Sequence, residues 1–230
     1  MTLTHFLLAG LSIILIDLLL AGDNALVIAL AVRGLPPQQR RWGIICGAAL
    51  AVVLRIGLTF VAARLLTLPF LKLAGGILVL WIALKVLVDV SEPPDSAPAA
   101  SRLVKAIWYI TAADLTMSVD NILAIAGASN GNLALIVFGL GLSIPFVIFS
   151  SNLLSKLMDR FPVLLYLGVA ILGRVGAEMI LSDPFVESHW RPSTAVHYLV
   201  QAVVIVGVLV VGTHWARARR KQTAQDSPVR

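Results

Sequence analysis

The chain has 230 residues, 59% of them hydrophobic and 13% charged, with a net charge of +6. Several uncharged runs reach the ~20 residues that span a bilayer, which excludes an ordinary soluble domain. The basic residues sit in short loops and a tail, a pattern of membrane anchoring that argues against nucleic acid as a partner.

Seven spans are expected, at about residues 5–32, 43–63, 68–90, 103–128, 133–155, 162–181 and 195–215. The first lacks a basic leader and is too long for a cleaved signal peptide, so it reads as the first membrane helix. Arg33 to Arg41 forms a polar loop broken by Pro36-Pro37. Cys46, the one cysteine, falls in the second apolar run, so neither a disulfide framework nor a thiolate metal site is available. Ser91 to Ser101, rich in proline, alanine and serine, reads as a flexible linker. Arg160-Phe-Pro162 and Ser182-Asp-Pro184 close later spans. The tail after Trp215 is basic, then polar, and reads as disordered beyond its first turn or two.

One stretch occurs twice. Asp17, then Asp23-Asn24, Leu26, Ile28 and Ala29 return as Asp114, then Asp120-Asn121, Leu123, Ile125 and Ala126. Further matches follow: Gly47 with Gly139, Arg64 with Lys156, Pro69 with Pro162, Gly75 with Gly168, and Lys85 with Glu178. The offset is 97 residues at the motifs and 92 to 93 afterwards. Each copy holds three spans, so the second enters the membrane from the opposite side, an inverted-topology repeat with its binding site near the midplane. The expected fold is an all-α polytopic membrane protein with seven transmembrane helices, built as two inverted three-helix repeats plus one. Residues 1–90 form the first repeat, 91–102 a cytoplasmic linker and 103–182 the second repeat. Residues 183–215 form a peripheral seventh helix and 216–230 a basic cytoplasmic tail. With the N-terminus outside, inner segments carry twelve lysines and arginines and outer loops carry Arg64, Lys72 and Arg191, which sets the C-terminus in the cytoplasm of a cell-membrane protein.

Carboxylates within apolar spans are expensive and point to function. Asp17 and Asn24, seven residues apart, share a helix face, whereas Asp23 points ~120° away. Either the helices break at the motif, with Gly22 helping in the first copy and Ser118 alone in the second, or the motif residues face different partners. Carboxylate and amide oxygens form a hard ligand set suited to Mg²⁺, Ca²⁺ or Mn²⁺. The span-embedded charges are Asp17, Asp23, Asp114, Asp120 and Glu178 against Arg55, Lys85 and Arg174, a deficit of two that one divalent cation would balance. The alternative is that the aspartates pair with Arg55, Lys85 and Arg174 as structural ion pairs. Lys85 and Glu178 read as structural or interfacial, Asn152 as a secondary polar partner, and Met117 and the glycines near 75–76 and 139–141 as helix-packing positions. His5, His189, His197 and His214 read as interfacial rather than as metal ligands.

The doubled Asp-x5-Asp-Asn motif, the spans and the basic loop after the first span resemble the TerC family of integral membrane proteins, in particular its short YjbE-type branch. The resemblance covers roughly residues 5–182. It implies a fold related to the LysE-type exporters and the export of a metal ion, with Mn²⁺ the favoured substrate and Ca²⁺ or Mg²⁺ as alternatives. Carried over by position, the family's motif residues fall on Asp17, Asp23, Asn24, Asp114, Asp120 and Asn121. No phosphate-binding loop, serine–histidine pair or His-Glu-x-x-His motif is present, so neither ATP hydrolysis nor an enzyme is expected, and the metal is cargo rather than a cofactor. Competing readings are an amino-acid exporter and a non-transporting membrane partner in metal delivery or stress resistance. A homo-oligomer is compatible with all of them.

Overall fold

Where no water reaches the backbone, each apolar run must close its own hydrogen bonds, and the helix is the way to do so within one segment. The computed structural model describes residues 3–65, 70–91, 98–129, 132–190 and 192–225. Among these residues it contains eight helices: α1 (Leu3–Val32), α2 (Pro37–Leu65), α3 (Leu71–Ser91), α4 (Ala99–Ser129), α5 (Leu133–Arg160), α6 (Val163–Leu181), the short α7 (Pro184–His189) and α8 (Thr194–Gln225). Among the described residues, five stretches are long and apolar enough to cross a membrane: Pro37–Thr59, Leu71–Val90, Leu133–Arg160, Val163–Leu181 and Thr194–Arg219.

Helices reach past the expected boundaries, and α2 already begins at Pro37, inside the stretch expected as a loop. The linker is shorter than 91–102, because Ala99 to Arg102 already form the first turn of α4. The basic tail is helical as far as Gln225. Alanine, arginine, lysine and glutamine are strong helix formers, so α8 runs on past its apolar part.

Four helices form the centre: α2 packs on α4, α1 on α5, and α1 on α4, while α3 packs on α6. The α8 helix lies against α3 and α6, at the edge of the bundle. Small residues permit the closest approaches. A Cβ on Gly76 would lie 2.6 Å from the carbonyl oxygen of Gly176, and one on Gly47 2.8 Å from Ile110. Two smaller apolar clusters flank the centre. One joins Ile28, Val32, Leu35, Ile44, Ala48, Ala106 and Ile110; the other joins Ile13, Val52, Ile125, Leu135, Ile136 and Leu140.

Polar contacts sort the helix ends into two groups. At one end Arg33 and Arg40 reach Asp159, Arg102 donates to the Gly34 carbonyl at 3.1 Å, and Lys105 donates to Asp89 at 2.8 Å. At the other end the buried Asp183 carboxylate accepts from the backbone N–H groups of Phe70 (3.3 Å), Leu73 (3.0 Å) and Phe185 (2.9 Å). One side chain thus caps α7 and also the start of α3. It holds Phe70 at a φ of 68°, a left-handed conformation unusual for an aromatic residue, and Phe185 packs on that ring at 4.4 Å. Lys85 and Glu178 sit at opposite ends of α8. Lys85 lies 4.8 Å from the Trp215 ring centre, and Glu178 meets His197 at 2.9 Å and also Gln201. The two do not pair with each other, and His197 is engaged with a carboxylate.

Burial pushes the Asp183 pKa up, but the N–H groups of Leu73, Phe185, Phe70 and Lys72 outweigh it and hold the carboxyl below its ordinary value. A depressed folded-state pKa stabilises the protein above the unfolded value of about 3.9, and the gain is lost as pH falls through the folded value. Asp183→Ala should therefore cost about 1–2 kcal/mol at pH 7, as for a lost helix cap. Thermal unfolding should show the gap to wild type narrowing once the pH drops below about 4.

Candidate cation site

Asp17 falls at the middle of α1 and Asp114 at the middle of α4. Both helices run unbroken through their motifs, so the expected alternative of a break at Gly22 is not what the chain adopts. A continuous helix puts residues seven apart on one face and turns the sixth away. Asp17 and Asn24 accordingly line one small cavity with Asp114, Arg55, Ala48, Ala51 and Ile144. Asp23 is exposed on another face of α1, within electrostatic reach of Arg174 of α6. Asp120 and Asn121 lie on α4 two and three residues past Ser118, and their own side chains are outside the described residues.

The structure thus brings three of the six expected residues together and sets Asp23 apart. It also brings in Arg55. One η nitrogen of its guanidinium donates to Asp17 and the other to Asp114, while Nε donates to Ser118 Oγ at 2.9 Å. Ser118 Oγ donates in turn to the second oxygen of Asp114 at 3.1 Å. Arg55 is 4% exposed, Asp17 1% and Asp114 7%, so the three charges share a low-dielectric interior. Their sum is −1. The ion-pair reading of the aspartates therefore holds for Asp17 and Asp114 with Arg55, but not with Lys85, which packs on tryptophan instead.

Asn24 is 4% exposed, and its amide Nδ2 has no hydrogen-bond partner among the described residues. A buried N–H donor left unmatched costs free energy, and the rest of the wall, Ile28, Ala48, Ala51, Val52, Ile144 and Val147, is apolar. Two carboxylates, one amide and the Ser118 hydroxyl make an oxygen-only set. Among the described residues no three His, Cys, Asp or Glu side chains cluster closely enough to hold a metal by themselves. Pro145 of α5 lies between the lining residues Ile144 and Val147, and removes one internal hydrogen bond from that helix beside the cavity.

Arg55 was visible in the sequence as a lone arginine inside a span, and Ser118 as a hydroxyl one turn beyond Asp114. Their meeting was not visible, because it depends on how α2 crosses α4.

The chain matches the family described as "Integral membrane protein TerC family" over residues 2–223. It is 42% identical over 205 residues to the uncharacterized membrane protein YjbE of Bacillus subtilis, covering 87% of this chain and 94% of that protein. It is 29% identical to the uncharacterized membrane protein YkoY of the same organism, over 71% of this chain and 56% of that one. It is 22% identical to the inner membrane protein YoaE of Escherichia coli, over 74% of this chain and 36% of that one. No solved structure matches.

Removing the arginine leaves two uncompensated buried carboxylates, whereas removing one carboxylate leaves a neutral pair. Arg55→Gln should therefore cost about 3–5 kcal/mol in metal-free protein. Asp17→Asn should cost less, about 1–3 kcal/mol for one charged hydrogen bond. Melting of the purified variants in detergent at pH 7 checks the order.

Proposed function

We propose that this chain, which belongs to the TerC family of integral membrane proteins, is a secondary transporter exporting a divalent cation from the cytoplasm. Mn²⁺ is the favoured substrate, with Ca²⁺ or Mg²⁺ as alternatives. One observation carries the reading: two carboxylates at the centres of two long helices converge on one small cavity that the Asn24 amide also lines. The residues that would receive the ion are Asp17, Asp114 and Asn24, with Asn121 as the counterpart of Asn24. Asp23 and its counterpart Asp120 would serve the approach to that centre.

The packing supports two inverted three-helix repeats with α8 added. Exchanging α1 with α4, α2 with α5 and α3 with α6 turns the α2–α4 contact into the α5–α1 contact. The apolar clusters correspond as well: Ile28, Ile44, Ala48 and Ile110 on one side match Ile125, Ile136, Leu140 and Ile13 on the other, at the offsets of the repeat. Even a local hydrogen bond recurs, since Thr59 donates to the Arg55 carbonyl and Ser151, at the same place in the other half, to that of Val147. The two clusters lie towards opposite ends of the bundle, one on each side of the site. Alternating access would loosen one at a time as one half moves against the other. The basic end, with Arg33, Arg40, Arg102 and Lys105, is assigned to the cytoplasm of a cell-membrane protein.

A second reading draws on Arg55. An arginine beside two aspartates could complement the carboxylate and amine of an amino acid, and export of one would use the same site. The small cavity favours an ion.

Purified protein in liposomes should move Mn²⁺, and Asp17→Asn and Asp114→Asn should each lower transport by at least the ~10–100-fold that loss of an outer-shell partner costs a metal site. Asp23→Asn should act more mildly. Transport of a cationic amino acid with no response to Mn²⁺ would favour the second reading, and activity retained in both Asn variants would remove the shared site. For orientation, an impermeant thiol reagent on intact Cys46→Ala cells should label Gly131→Cys and spare Ser96→Cys. The opposite pattern reverses the assignment.

A further inference from the structure

We propose that Arg55 is a tethered counter-cation, which holds the Asp17–Asp114 pair and must withdraw before a divalent cation can take its place. The inference rests on the transporter reading above and adds a residue that sets which ions are accepted.

Every nitrogen of the Arg55 side chain is directed at the site: Nε at Ser118, one η nitrogen at Asp17 and the other at Asp114. The two carboxylates a divalent cation needs are therefore already held by a cation that belongs to the protein. The Asn24 side chain lines the same cavity, and its carbonyl oxygen is the atom that a cation there would use. An ion of two charges beside a guanidinium in a buried site would meet strong repulsion, so the two compete rather than coexist.

The arginine is not demanded by the packing of its helix. Val147 occupies the corresponding place in the other half and lines the same cavity. Its carbonyl accepts from Ser151 as the Arg55 carbonyl accepts from Thr59. An arginine at one of two equivalent places gives one positive charge to two carboxylates. A monovalent ion gains little by replacing a charge equal to its own that is held by a tether at high effective concentration. A divalent ion gains one unit of charge. Arg55 thus sets a charge threshold for entry, and by returning to the carboxylates it helps expel the ion.

Mn²⁺ binding to the full-length protein in nanodiscs, measured by competition with a fluorescent chelator, tests this with wild type, Arg55→Val and Arg55→Lys. Removing a competing ligand should tighten Mn²⁺ binding about tenfold or more in Arg55→Val, within the usual range of coupling between sites. Arg55→Lys, which contacts fewer oxygens, should fall between, and Na⁺ should now compete in Arg55→Val. The Mn²⁺-induced rise in melting temperature should be larger in Arg55→Val than in wild type, whereas transport in liposomes should slow because release loses its displacing group. Binding equal to or weaker than wild type in both variants would overturn the proposal. If Arg55→Val does not fold, Arg55→Lys decides by the same criterion. If wild type and both variants all ignore Mn²⁺, the transporter reading fails and this inference falls with it. Wild-type binding without tightening in the variants removes the inference alone.

Discussion

The guanidinium of Arg55, forked between Asp17 and Asp114, is the contact on which the centre of the molecule depends. Two carboxylates buried at the mid-length of apolar helices would repel each other and would each lack solvation. A positive charge from a third helix makes their approach tolerable and thereby brings α1, α2 and α4 to a common point. The Ser118 hydroxyl then completes the hydrogen bonding of both Arg55 and Asp114. The three formal charges sum to −1 rather than zero.

Packing places this point and insulates it. Glycines at 47, 76 and 176 let helices approach closely. The apolar clusters at either side of the cavity share lining residues with it: Ile28 and Ala48 from one, Val52 from the other. The low dielectric that strengthens the Arg55 contacts comes from these side chains, so a movement that loosens one cluster also weakens the hold on the site. The helix ends are tied differently. Arg33, Arg40 and Asp159 form part-exposed ion pairs of small individual value, whereas Asp183 is a single buried cap joining α3 to α7.

Much of this was legible in the residues. Long apolar runs dictate helices where backbone groups have no other partner, and each expected span coincides with one. The seven-residue spacing of Asp17 and Asn24 predicts a shared face, and both line the cavity. The same geometry turns Asp23 away, and the uninterrupted α1 shows that Gly22 is not needed to bend it. Glycines 75 and 76 read as packing positions, and the α3–α6 contact uses them so. Proline and charge mark where a span ends, not where a helix does: α4 begins at Ala99 and α8 runs to Gln225.

The sequence by itself determined the helices, their apolar character, the doubled motif and the faces on which its residues lie. These follow from local periodicity and the cost of unpaired backbone. Only the tertiary structure decided that Asp17 and Asp114 share one arginine, that Asn24 lines the cavity beside them, and that Val147 lines it too. Those facts depend on crossing points between helices far apart in the chain, where a shift of one turn (about 5.4 Å) would place Arg55 beside different residues. No spacing within a single helix carries that information.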